Sequence, residues 1–457
     1  MSDIKWISTN QNAAWVEQPA PTFSSVPGMP SVFIDTSKTE QTVEGFGGSF
    51  NEYGWLALKQ LSASDFDTVM RDLFLPGAGL NLALCRMPVA ANDFSRDWYS
   101  YDEVDGDFAL EHFSIANDEE TLIPFINEAK KYQPKLALWA SPWSPPTWMK
   151  INKHYAGALP NPAFNTGAAT NGLREDQVQT EGVDNFILED RYLDAYARYF
   201  GKFIDAYRAA GIEILMVMPQ NEFNSPQVFP SCIWSPEGLA KFIKHLGPEM
   251  DKRGVEIFFG TQERPDENMT LSVIADPEVG KYIKGVGVQW GGKEATRYIH
   301  RAQPELRIYQ SEQQCGDGKN DWRFARHAWH LLKHYFENGA TGYMYWNMAL
   351  EEGGVSRWGW SQNSFVVVDP ETKTYRYSHE FQLFKHVSHF VKPGAKFVPT
   401  FSWNGYEQQI AFKNPDGSLV LVVQNDNASE MDYNAMIDGK SLNVTLAADS
   451  FNTFVIN

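Results

Sequence analysis

Three things are scarce in this 457-residue sequence: cysteine, positive charge and long apolar runs. Its three cysteines, Cys85, Cys232 and Cys315, are too few and too odd in number for a disulfide framework. With 39 basic against 57 acidic residues the net charge is -18, which argues against nucleic acid or an anionic membrane as a partner. No apolar run reaches the length of a membrane-spanning helix. The first residues, "MSDIKWISTNQNAAWVEQPAP", lack the basic segment and apolar core of a secretory leader, so a cytoplasmic location is the expectation. There is no internal repeat, and neither a phosphate-binding loop nor a dinucleotide fingerprint appears.

What is present in excess is aromatic side chain: 14% of the sequence, with 15 tryptophans. Part of this must be core, and the remainder suits flat apolar ligand faces such as sugar rings.

Eight short apolar runs alternate with long amphipathic stretches through the middle of the chain. They are 45–50, 81–88, 135–142, 212–219, 256–262, 285–290, 307–312 and 341–347. Runs that are apolar throughout read as strands buried on both faces, and the stretches between them, such as 191–211, carry helical spacing. Eight such units are the count of a (β/α)8 TIM barrel, an α/β fold of ~250 residues that tolerates long insertions. The segment 160–172 reads as an insertion on a loop. Beyond the stretch 378–394 the pattern turns all-β, and 31–37 reads as a strand ahead of the barrel. The expected organisation is an N-terminal segment, 1–42, a catalytic barrel, 43–389, and a C-terminal stretch, 390–457, with both termini building one accessory β-sandwich.

Reactive groups in such barrels sit where the strands finish. The run ends here carry Arg86, Trp143, Asn221, Glu222, Gln262, Trp290, Glu312, Trp346 and Asn347. Two of them pose a question, because "MPQNEF" (218–223) and "RIYQSE" (307–312) each finish an apolar strand on a glutamate, where ionised groups are costly to bury. One answer is a structural acid paired with a base. The other is glycoside hydrolysis, in which one carboxyl protonates the leaving oxygen and a second attacks the sugar or activates water. No metal-ligand spacing occurs among these ends, and no cofactor is expected. His327, His330 and His334 share one helical stretch that would lie outside the barrel. Cys232 and Cys315 have no histidine beside them in sequence to activate a thiolate.

The stretches "EGFGGSFNE" (44–52), "RMPVAANDFS" (86–95), "ASPWSPPTWMK" (140–150), "PQNEF" (219–223), "SEQQCG" (311–316) and "WNMALEEGGVSRWGWSQNSFVVVD" (346–369) resemble glycoside hydrolase family 30. That is the family of acid glucosylceramidase. The resemblance implies a retaining β-glycosidase acting on a β-glucoside or β-glucan oligosaccharide. It gives Glu222 the acid/base role, Glu312 the nucleophile, and Asn221 a bond to the sugar 2-hydroxyl. Arg86 would orient the nucleophile, while Asp93, Trp143 and Trp346 would hold ring hydroxyls. The bland alternatives are an ion pair for Arg86, a turn cap for Asp93 and core packing for the tryptophans. Phe94 and Asn363 match rim positions. Around Trp290 the sequence departs from glucosylceramidase, reading Gln289-Trp290-Gly291 where that enzyme has a His before the Trp and a Tyr after it. A ceramide tail therefore fits less well than a sugar or small aglycone. An endo-β-1,6-glucanase, then a β-xylosidase, stand as alternatives within the class, and a non-catalytic sugar-binding protein outside it.

Overall fold

Every one of the eight apolar runs becomes a strand of one closed parallel barrel. The computed structural model describes residues 4–24, 29–162 and 170–457, so the middle of the expected insertion, 163–169, lies outside the described residues. Three strands precede the barrel: β1 (Ile4–Asn10), β2 (Ala13–Gln18) and β3 (Val32–Ile34). The barrel strands are β4 (Gly45–Ser49), β5 (Leu84–Val89), β6 (Ala137–Pro142), β7 (Met216–Val217), β8 (Glu256–Gln262), β9 (Ile283–Gln289), β10 (Arg307–Glu312) and β11 (Gly342–Asn347). Their order around the ring is their order in the chain, closing from β11 to β4.

Inside the ring, Leu84, Trp139, Met216, Met218, Phe258, Tyr309 and Met344 pack into a plug. Each comes from earlier in its strand than the polar strand ends, so the plug is the floor beneath them. The plug explains the glycines facing it: a Cβ on Gly287 would lie 2.3 Å from Met218 Sδ. At Gly47 backbone approach decides, since a Cβ there would meet the Leu84 carbonyl oxygen at 1.6 Å.

The fourth run is expected as a strand over 212–219, yet β7 is only two residues long. Its flanks stay extended and paired, with Leu215 N–H donating to Leu138 O at 2.8 Å and Met218 N–H to Ala140 O at 2.9 Å. The helix that precedes it, Asp190–Ala209, ends as read, with Gly211 at φ +80° just beyond.

After the barrel, β12 (Ala349–Glu351), β13 (Val366–Val368) and β14 (Tyr375–Tyr377) form a small sheet. Seven strands then complete the accessory sandwich: β15 (Lys396–Val398), β16 (Thr400–Ser402), β17 (Gln409–Lys413), β18 (Leu419–Asn425), β19 (Met431–Ile437), β20 (Lys440–Leu446) and β21 (Ser450–Ile456). One sheet runs β15-β17-β18-β21-β1-β2 and the other β16-β3-β19-β20, so both ends of the chain contribute to both. Between them lies a core of its own, including Ile4, Val32, Leu421, Tyr433, Leu442 and Phe454. The β1–β2 hairpin and β19 were not among the strands read from sequence.

Among the described residues, no helix is long and apolar enough to cross a membrane.

Candidate active site

At the carboxyl end of the barrel one cation organises the strand ends. Arg86 on β5 is fully buried, and its guanidinium reaches four acceptors on three other strands or their ends. Nη1 donates to Glu312 Oε2 at 2.7 Å and to the Ser311 carbonyl at 3.2 Å; Nη2 donates to Asn221 Oδ1 at 2.6 Å and to Ser141 Oγ at 2.8 Å. The guanidinium lies over the ring of Trp143, 4.4 Å from the centroid, with Trp139 at 4.9 Å and Trp346 at 5.6 Å. A planar fork among aromatic faces is a role for arginine that lysine does not fill.

Glu222 is held differently. Among the described residues no cation pairs with it; Gln289 Nε2 donates to Oε1 at 3.0 Å and Gln227 Nε2 to Oε2 at 2.8 Å. Its backbone sits in the left-handed region at φ +50°, pinned by its N–H donating to Thr261 Oγ1 at 2.8 Å. Trp290 is likewise at φ +49°. Non-glycine residues in that region are strained by a kilocalorie or more, which the surrounding bonds must offset.

Asp93, Trp143, Asn221, Glu222, Glu263, Trp290 and Glu312 all line one cavity of about 460 Å³. Its volume is in the usual range for small-molecule sites. Burial pushes the carboxyls of Glu222 and Glu312 up. At Glu312 the Arg86 charge pulls the other way, and at Glu222 the two glutamine amides do. Asp93 is pushed up to about 7, first by burial and then by the charge of Glu222. The indole of Trp346 lies close enough to its carboxyl to pull the other way.

Trp346 stacks behind Trp143, ring centroids 5.3 Å apart and 28° between planes, instead of forming the wall. Phe94 packs edge-on against Trp346 and is fully buried. The structure does not bring Asn363 to the rim. It is fully buried, its Nδ2 donating to Glu380 Oε2 at 2.7 Å while its Oδ1 accepts from the backbone of Gly318 and Asn320. The neighbouring Gln362 lines the cavity in its place and accepts from Asn347 Nδ2 at 2.8 Å.

Glu263, one residue past the end of β8, is a third buried glutamate on the cavity wall that the sequence reading passed over. The signal available was its position, directly after Gln262 among the strand ends. Gln289, read only as a departure, proves to brace Glu222 and to accept from Ser311 Oγ at 2.8 Å. His327 bonds to Gln314 and His334 to the Lys293 carbonyl, and among the described residues no His, Cys, Asp and Glu group is spaced to hold a metal. All three cysteines are free and buried, with burial pushing Cys232 up to about 12.

A closed parallel barrel with buried carboxyls and tryptophans lining a cavity at the carboxyl ends of its strands has the build of a TIM-barrel glycosidase. Family models agree, matching the glycosyl hydrolase family 30 TIM-barrel domain over residues 43–169 and 163–392 and the family's β-sandwich domain over 403–454. The chain belongs to glycosyl hydrolase family 30. Among curated relatives, putative glucosylceramidase 1 of Caenorhabditis elegans is 29% identical over 418 residues, covering 86% of this chain and 75% of the relative. Endo-1,6-beta-D-glucanase neg1 of Aspergillus fumigatus is 26% identical over 447 residues, covering 92% and 86%. The solved structure of SrfJ from Salmonella typhimurium superposes with a TM-score of 0.87 at 24% identity, covering 100% of this chain and 99% of that one; at that identity it speaks for the fold alone.

Proposed function

We propose that the protein is a retaining β-glycosidase that hydrolyses β-glucosidic bonds by double displacement, with Glu312 as nucleophile and Glu222 as acid/base. The observation that carries the assignment of roles is the unequal surroundings of the two carboxyls. A full positive charge 2.7 Å from Glu312 favours its ionised form, whereas Glu222 is bonded by neutral donors, the amides of Gln227 and Gln289 and the indole of Trp290, and feels Arg86 only from further off. The negative charge they share therefore belongs at Glu312, leaving the proton on Glu222. In the first step Glu312 attacks the anomeric carbon while Glu222 protonates the departing oxygen; in the second, Glu222 takes a proton from water as water displaces Glu312. Asn221, positioned by Arg86, supplies a hydrogen bond to the 2-hydroxyl that strengthens as the oxocarbenium character develops. Asp93 and Trp143 bind hydroxyls of the same sugar. The residue ranges 1–42, 43–389 and 390–457 remain our proposed division into N-terminal segment, catalytic barrel and C-terminal sandwich stretch.

Azide rescue tests the roles. Glu312→Ala is expected to abolish turnover, and added azide to restore part of it with the α-glycosyl azide as product. Glu222→Ala is expected to spare aryl glycosides with good leaving groups, and azide to give the β product. The opposite stereochemistry in the two variants would exchange the assignments.

An endo-β-1,6-glucanase is the second reading, supported by the Aspergillus relative of that name over 92% of this chain.

A further inference from the structure

Glu222 and Glu312 divide the barrel mouth into two arcs. One runs from β11 through β4 and β5 to β6 and carries Trp346, Arg86, Asp93 and Trp143. The other is β8 and β9 alone, and its contributions to the cavity wall are Glu263 and Trp290 with their immediate neighbours. Glu263 is 5% exposed, and its Oε2 has no hydrogen-bond partner. Buried carboxyls are normally paired or fully hydrogen-bonded, so this one needs an explanation.

Ordinary explanations cover only part of it: Ser225 hydrogen-bonds the carboxyl, yet Oε2 stays unpaired. An ion pair is poorly made, since Arg264 approaches Glu263 Oε1 only to 3.9 Å. That guanidinium is directed elsewhere, donating to Glu181 at 2.7 and 3.0 Å and to Ser225 Oγ at 3.2 Å. Helix capping is excluded by position, because the next helix, Asn268–Ala275, has Glu267 at its N-cap. Nor does charge balance call for another acid, as the cavity already holds Asp93, Glu222 and Glu312 around one buried arginine. What the position does offer is a buried, incompletely bonded carboxyl on the cavity wall, near enough to Glu222 to feel its charge, on the arc away from Asp93 and Trp143.

The proton from Glu222 goes to the leaving oxygen, so whatever that oxygen carries faces the β8–β9 arc. We infer that Glu263 is a specificity-determining residue for the leaving group, bonding hydroxyls of a second, uncharged sugar. Ionised, the carboxyl accepts from hydroxyls; protonated, it donates to one and accepts from another. An alkyl leaving group does neither and leaves Oε2 buried and unpaired, which disfavours it. This inference rests on the retaining β-glucosidase reading and specifies which aglycones it takes.

The test is kcat/KM for Glu263→Leu and Glu263→Gln on gentiobiose, 4-nitrophenyl β-glucoside and octyl β-glucoside. The leucine variant is expected to lose about ten- to a hundredfold on the disaccharide, the scale of one or two hydrogen bonds to a charged group. It should stay within about threefold on the aryl substrate and gain on the octyl one, while glutamine keeps most disaccharide activity. Equal losses on all three substrates, or an unchanged disaccharide rate, would overturn the assignment. A variant-free arm uses the wild type on monodeoxy analogues of the second sugar. At least one should fall about tenfold, and a series that stays within about threefold throughout also overturns it. Absence of hydrolysis of any β-glucoside by the wild type would instead sink the underlying reading, and this inference with it.

Discussion

Arg86 carries more of the site than any other side chain, because it fixes three strand ends with one charge. Lysine keeps that charge but offers a point in place of a planar fork, so it cannot reproduce the directions of the bonds to Glu312 and Asn221 together. Arg86→Lys is expected to lower kcat/KM at least about a hundredfold, with kcat falling more than KM rises, since nucleophile and 2-hydroxyl partner are both misplaced. Steady-state kinetics on an aryl β-glucoside check this. A loss under about fivefold would reduce Arg86 to bulk charge compensation.

Asp93 illustrates a residue kept against the interest of stability. Its folded-state pKa, about 7, lies above the 3.8 of an ordinary aspartate. Below the lower value both folded and unfolded chains hold the proton, and the group is neutral to stability. As pH rises from about 4 to 7 the unfolded chain releases its proton first, so stability declines, by at most about 4 kcal/mol if fully expressed. Asp93→Asn removes that loss. Its Tm should match the wild type near pH 4 and exceed it at pH 8, while activity falls; thermal unfolding across that range is the measurement. Asn363 shows where reading residue by residue misleads. It adjoins a residue that does line the cavity, but neighbouring side chains in extended chain point to opposite sides. A shift of one position exchanges cavity for core, and Gln362 and Asn363 sit on either side of that line.

At the scale of elements, the barrel strands were legible because being buried on both faces forces an unbroken apolar run, and the plug beneath the mouth forces glycines opposite its large residues. The hairpin β1–β2 and strand β19 were not. β1, "IKWISTN", and β19, "MDYNAMI", intersperse lysine, serine, asparagine and aspartate, residues suited to half-exposed strands of a small sandwich, with burial alternating along them. Glu263 was missed for a related reason: a strand end shows which residues are candidates, and only the fold shows how deep each one sits. The loops of the mouth have their own anchor in Lys150, whose buried Nζ donates to Ser144 Oγ and to the carbonyls of His154, Tyr155 and Ser231 at 2.5 to 3.0 Å. Burial lowers it to about 8. Lys150→Met would take the donor from the His154 carbonyl and one of two donors from the carbonyls of Tyr155 and Ser231, which also accept from Ser231 N–H and Gln179 Nε2, and we expect a loss of about 2 kcal/mol or more. Chemical denaturation measures it, and a change within about 0.5 kcal/mol would show that water replaces the ammonium.

On the scale of the whole molecule, the loops around the mouth decide whether a glucan enters by its end or along its length. On the proposed reading Asp93 and Trp143 hold hydroxyls of the sugar before the scissile bond, which would leave no room there for a further unit. Glucose is therefore expected as the sole early product from pustulan, a linear β-1,6-glucan. Early mixed oligosaccharides with a rapid fall in chain length would favour the endo-acting alternative.

The sandwich adds a consequence in time. β21 lies between β18 and β1, and the bond from Trp6 Nε1 to Asn452 Oδ1 closes a span of 446 residues. A ribosome adding 5–20 residues per second takes roughly 20–90 s to cover that span. For that whole interval one side of β1 is an exposed strand edge awaiting its partner. Such edges recruit other chains unless a charge interrupts them, and the single charge that β1 carries through the wait is Lys5.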